Sequence, residues 1–224
     1  MFGGSQALPL FRVAGINVTA GWSWLLALGY VVVMLSGSYK AILGPGNNAE
    51  AFAYAVVVAF LFFGSIVFHE FGHALVARRN GIGILGIELW VLGGLAKMDR
   101  DPTTPGVEFR VAAAGPLATA VVAAGCLGAT AAIDSGRLGH LMTLSTQPGD
   151  AAWLASLAWL GVVNLLLLVF NLFPAYPLDG GRIARAIAWW RTGDRNRATR
   201  FAARLGRGFA FAMIAFGAYL AVMG

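Results

Sequence analysis

The stretch His69-Glu70-Phe71-Gly72-His73 carries two imidazoles four residues apart, with a carboxylate next to the first. On a helix, positions i and i+4 share a face, so His69 and His73 can hold one metal ion between them while Glu70 stands alongside as a proton acceptor. A reactive zinc site takes three protein ligands and keeps one position open, so this helix supplies two and a third must come from elsewhere. Asp179 is the better candidate, in the run Asn171-Leu-Phe-Pro174-Ala-Tyr-Pro177-Leu-Asp179-Gly180-Gly181-Arg182. The same aspartate also reads as the N-cap of a helix beginning near Gly181, and spacing leaves the two readings open. His140 falls in a loop on the opposite side of the chain's topology and reads as a surface histidine. Asn164 and Asn171 stand two helical turns apart on one face. Asn164 reads as an interhelical hydrogen-bonding residue and Asn171, beside the break, as a residue that touches substrate.

These residues need elements to hold them, and composition decides the medium. Of 224 residues, 58% are hydrophobic and 12% charged. Soluble domains carry about a quarter charged residues, so a cytosolic enzyme is excluded. The apolar residues come in unbroken blocks of helix length rather than in alternating strands, which excludes a membrane barrel. The blocks run 20–35, 51–76, 107–133, 151–173 and 201–223, giving five expected spans, the first of them short. The expected fold is an all-α polytopic membrane protein of about five transmembrane helices, with a small membrane-associated β element and a broken or re-entrant segment. The single cysteine, Cys126, forms no intrachain disulfide and builds no thiolate metal site.

The basic residues fix the expected orientation. With a cytoplasmic N-terminus, one side receives 14 of the 16 Lys and Arg residues and the other receives only Lys40 and Arg137. That asymmetry obeys the positive-inside rule, so the net charge of +6 calls for no nucleic acid. Counting back from Arg78 at the cytoplasmic edge, a metal between His69 and His73 lies roughly 8–14 Å below that surface.

Two stretches are neither spans nor plain loops. Residues 11–18 and 84–98 are β-prone, the second split by Gly93-Gly94, and they are expected to pair into a small sheet at the cytoplasmic face. Non-helical backbone at membrane depth is tolerated only where protein or a wet cavity satisfies it, so a cavity is expected there. Pro174 and Pro177 followed by a glycine pair must break the chain where the fourth span ends. Residues Ala112-Ala-Ala-Gly-Pro116 read as a packing patch of small residues, and Trp189 and Trp190 with Arg182, Arg185 and Arg191 read as a short interfacial helix.

The set of HEFGH in the second span, AAAGPL in the third and NLFPAYPLDGGR after the fourth resembles the site-2 protease family of intramembrane zinc metalloproteases. The resemblance covers about residues 64–185 and implies one zinc ion on His69, His73 and Asp179, with Glu70 as general base and Asn171 assisting substrate or oxyanion. It also implies that the 84–98 segment lies near the substrate path, with Gly93 and Gly94 among the substrate-binding residues. Many relatives with this LDGGR pattern carry a sixth span and nucleotide-sensing CBS domains. The 224 residues therefore read as a single intramembrane metalloprotease domain truncated before a sixth helix and regulator, or as a variant without them, with nucleotide a partner only where such a region exists.

The expected reaction is hydrolysis of a peptide bond in or near a transmembrane segment of a single-span substrate, in a bacterial or archaeal cell membrane. A substrate helix hides its carbonyls in its own hydrogen bonds and must be unwound first, and a strand edge can hold the unwound segment by β-addition. The lipid bilayer is the second partner, and a homodimer is compatible with the sequence. The alternative reading is a zinc or proton-coupled transporter. It is disfavoured because the outer halves of the spans are nearly bare of polar groups.

Overall fold

The computed structural model describes residues 7–91, 93–135 and 151–223; His140, Arg137 and Leu92 lie outside the described residues. Its elements run β1 (Leu8–Val13), β2 (Ile16–Ala20), α1 (Trp22–Leu43), α2 (Asn48–Arg79), β3 (Ile84–Trp90), β4 (Gly93–Met98), α3 (Pro105–Ile133), α4 (Ala152–Leu172), α5 (Asp179–Thr192) and α6 (Arg195–Met223). Among the described residues, five helices are long and apolar enough to cross a membrane: α1, α2, α3, α4 and α6. The first span is not short. It continues through Ser36, Gly37, Ser38 and Lys40 to Leu43, a 22-residue helix whose polar last turns read as a loop by composition.

The two β-prone stretches do pair, but residues 11–18, expected as one short strand, are divided by a turn between β1 and β2. β1 and β2 form a hairpin whose two-residue turn, Ala14-Gly15, takes positive φ at both positions, as a type I′ turn requires. β2 then pairs in parallel with β3, Val18 opposite Ile87, and β3 pairs antiparallel with β4, Ile87 opposite Ala96. The order β1-β2-β3-β4 leaves β4 as an edge strand. Ile16, Val18, Ala20, Ile87 and Leu89 of the sheet bury against Trp24, Phe63, Ile66 and Val67, so the sheet rests on α1 and α2.

A second apolar cluster lies at the other end of these helices. Leu35, Tyr39 and Ile42 of α1, Ala51, Ala55 and Val58 of α2, and Ala152, Ala155 and Leu160 of α4 close on one another there. Between α2 and α3 the backbones come unusually near: a Cβ on Gly72 would stand 2.6 Å from the carbonyl oxygen of Ala114. Small residues permit that approach where lipid supplies no hydrophobic drive between helices, as expected for the AAAGP patch.

α2 stops where Asn80 folds its amide back to the Val76 carbonyl and Gly81 takes a φ of 77°. α3 begins on Thr104, whose hydroxyl accepts the Val107 N–H, with Pro105 at the first helical position. After α4, residues 173–178 break the helix, with a cis peptide bond before Pro177, and α5 starts at Asp179.

Candidate metal centre

His69 and His73 lie on the buried face of α2, and α5 brings Asp179 to them. The Nε2 atoms of the two histidines are 3.1 Å apart, and Asp179 Oδ2 is 3.1 Å from each. One ligand atom from each of the three residues therefore lies within 4.8 Å of the others. The far side of each ring is held. His73 Nδ1 is 2.7 Å from the Val111 carbonyl, which only accepts, so Nδ1 carries the hydrogen and Nε2 presents a lone pair. His69 Nδ1 is 2.8 Å from Thr119 Oγ1, and the same tautomer follows when the hydroxyl accepts.

That donor set passes the test for a metal. Two imidazole lone pairs and a carboxylate oxygen, all buried, point at one small volume, and such a set is repulsive without a cation between them. Space is reserved as well. A Cβ on Gly115 would fall 2.2 Å from His73 Nε2 and 2.7 Å from His69 Nε2, inside the volume an ion would need. Gly115 thus serves the site as well as the packing expected of its patch.

Asp179 is not an N-cap. Leu178 holds that position, no side chain caps the helix, and Asp179 is the first helical residue with its carboxylate turned to the histidines. Glu70 is buried beside the cluster but outside it, and its Oε2 accepts the Ala96 N–H of β4 at 2.9 Å. The edge strand thus meets the acid directly, and a Cβ on Gly94 would reach within 2.5 Å of Glu70 Cγ.

A cavity of about 360 Å³ opens onto these groups, lined by Glu70, Gly94, Ala96, Asn171, Asp179 and Arg182 among others. Asn171 is present at its wall, donating its amide to the Leu167 carbonyl of its own helix. Gly93 lies outside this cavity and lines a neighbouring apolar one of about 480 Å³ between α1, α2 and α4. Asn164 is fully buried and bonds back to the Leu160 carbonyl.

The short interfacial helix expected around Trp189 is corrected in one respect. Arg185 does not lie on a surface: it is buried against Glu108 of α3. Arg182 also turns inward, 3.9 Å from Asp179. Thr119 and the Val111 carbonyl went unread. Thr119 carried a usable signal, since it is a polar residue one helical turn beyond Gly115 within the apolar middle of a span.

Fold and site together define an integral, multi-pass membrane protein with two HExxH histidines and a distant aspartate gathered at a zinc-type site. Residues 57–215 match the sequence profile of Peptidase family M50, and the chain belongs to that family, the site-2 proteases. It is 37% identical over 212 residues to Rip3 of Mycobacterium tuberculosis, covering 95% of this chain and 51% of that protein. A zinc metalloprotease of Methanocaldococcus jannaschii is 33% identical over 215 residues, 95% of this chain and 54% of that one. The chain thus spans about half the length of these curated relatives. The solved site-2 protease from the same archaeon superposes with a TM-score of 0.62 at 32% identity, over 97% of this chain and 87% of that one. The family implies zinc, which suits the donor set described above. None of these likenesses supports the transporter alternative.

Proposed function

We propose that this chain is a zinc-dependent intramembrane endopeptidase domain spanning residues 1–224, cleaving a membrane protein with a single transmembrane segment. The observation that carries the reading is the convergence of His69, His73 and Asp179 with Glu70 at the wall of the same cavity. In this reading the three residues ligate zinc, which when bound supplies a Lewis acid for the scissile carbonyl and its attacking water. Glu70 takes the proton of that water and passes it to the leaving amine. Thr119 and the Val111 carbonyl keep both imidazoles in the ligating tautomer. Asn171 lies where it can meet the substrate carbonyl once its amide leaves Leu167.

The unwound substrate segment pairs with β4, whose outer edge has no strand beside it among the described residues and runs past Glu70; Gly94, whose missing side chain gives Glu70 its place, and Gly93, which opens on the neighbouring apolar cavity, lie along that path. The charge asymmetry of the loops supports a cytoplasmic N-terminus, with the sheet and the site on that same side.

The test uses the protein purified in detergent, with bound metal measured and a panel of single-span peptides as substrates. The parent is expected to hold about one zinc per chain and to cleave. Glu70→Gln should keep the metal and lose cleavage by about 10²-fold or more, because it removes the base and not a ligand. Cleavage retained in that variant would end the protease mechanism.

A further inference from the structure

One face of α3 touches every element that carries a proposed ligand. Positions 108, 111, 115 and 119 are spaced by three, four and four residues, so they line up along the helix. Thr119 holds His69, the Val111 carbonyl holds His73, and Gly115 clears the space between them. Glu108 occupies the remaining position and holds α5: Arg185 Nε donates to its Oε1 at 2.6 Å, and Arg185 Nη2 donates to the same oxygen.

This ion pair is a costly way to pack two helices. Glu108 is 0% exposed and Arg185 8%. Glu108 Oε2 has no hydrogen-bond partner among the described residues. Buried pairs of this kind are often replaced by apolar residues without loss of stability. What an apolar contact does not supply is a fixed register, since a guanidinium that brings two N–H groups to one carboxylate oxygen does so at one place along the helix. α5 needs such a register. The broken segment 173–178 separates it from α4, and Gly193, in the left-handed conformation, ends it before α6, so neither neighbouring helix continues into it. Arg185 is further held over the Tyr176 ring, its guanidinium carbon 5.6 Å from the centroid.

We propose that Glu108 and Arg185 are positioning residues for Asp179, locking α5 to α3 at the register where the carboxylate meets the two Nε2 atoms that the same face of α3 has aimed. The proposal rests on Asp179 being a zinc ligand, and the experiment separates the two claims. Zinc affinity is measured by competition with a chelator for the full chain in detergent, for the parent, Arg185→Gln, Asp179→Ala and the double variant. The absorption spectrum of the cobalt-loaded protein reports the ligand geometry.

Arg185→Gln should weaken zinc by about 10–100-fold at unchanged helix content and alter the cobalt spectrum. In the Asp179→Ala background the same change should cost little more, because its effect runs through the missing carboxylate. Arg185→Lys keeps the charge without the fork and should fall between parent and Arg185→Gln; it also serves if the glutamine variant does not fold. Thr119→Val, acting through His69, should remain additive with Arg185→Gln. Equal losses from Arg185→Gln with and without Asp179 would show a general support of the fold and overturn the proposal. So would parental zinc affinity and cobalt spectrum in both Arg185 variants. Parental zinc affinity in Asp179→Ala is a different failure: it removes the ligand reading, and the positioning claim with it.

Discussion

The two ends of α2 are built on different principles. At one end Ala51, Ala55, Val58 and Ala59 pack against α1 and α4 in an apolar cluster, where a buried hydrogen bond joins Tyr39 to Ser156, whose hydroxyl also donates to the Ala152 carbonyl. At the other, His69, Glu70 and His73 are each met by a specific atom: Thr119 Oγ1, the Ala96 N–H and the Val111 carbonyl. The first end needs volume filled, and many side chains do that. The second needs single atoms in place, and few substitutions preserve them. One helix therefore carries both a tolerant scaffold and an intolerant site, and mutations along it should separate cleanly into stability effects and metal effects.

The largest effect should come from Asp179→Ala, which leaves two of the three proposed ligands. Zinc affinity should fall by more than about 100-fold while the helix content stays parental, as read by chelator competition and circular dichroism. Gly115→Ala comes next. Its methyl would stand 2.2 Å from His73 Nε2, so zinc should be lost or strongly weakened although the change raises helix propensity. A folded Gly115→Ala protein with full zinc affinity would break the contrast between the two ends, because a small-residue packing role would then suffice.

Thr119→Val keeps the shape of the side chain but removes the hydroxyl from His69 Nδ1. It should weaken zinc by about 10–100-fold with little change in thermal stability. Ala96→Pro tests the strand edge. It deletes the N–H that faces Glu70 and should cut cleavage of a transmembrane substrate several-fold with zinc retained, whereas Ala96→Ser should cleave like the parent. The smallest effect belongs to the other end. Tyr39→Phe loses the bond to Ser156 and should cost about 1 kcal/mol of stability with zinc and cleavage unchanged. A drop in metal affinity there would show that the two ends are coupled.

What could be read in the sequence followed the reach of local rules. His69 and His73 were legible because their relation is set within one helical turn. Asp179 was legible only as a candidate, since 106 residues separate it from His73 and spacing says nothing about which helices meet. The sheet was legible in outline, since residues 84–98 are too apolar for a loop and too broken for a span. Its parallel β2–β3 contact, however, brings Val18 to Ile87 across two intervening helices. Arg185 was misread because an arginine beside two tryptophans carries the composition of a membrane-surface helix. Its burial depends on Glu108, which looks like any acidic residue in a first turn. The α1 boundary moved for a simpler reason: serines, a glycine and a lysine end an apolar run without ending a helix.

The Ala96 N–H has one hydrogen to give. In this structure Glu70 holds it, so a peptide that enters along β4 has to win that donor from the carboxylate. Docking and untethering then become a single exchange: the backbone bond lost by the acid is gained by the guest. If Glu70 is the base proposed above, an empty site keeps it leashed to the sheet, and the chain to be cut is the thing that lets it go.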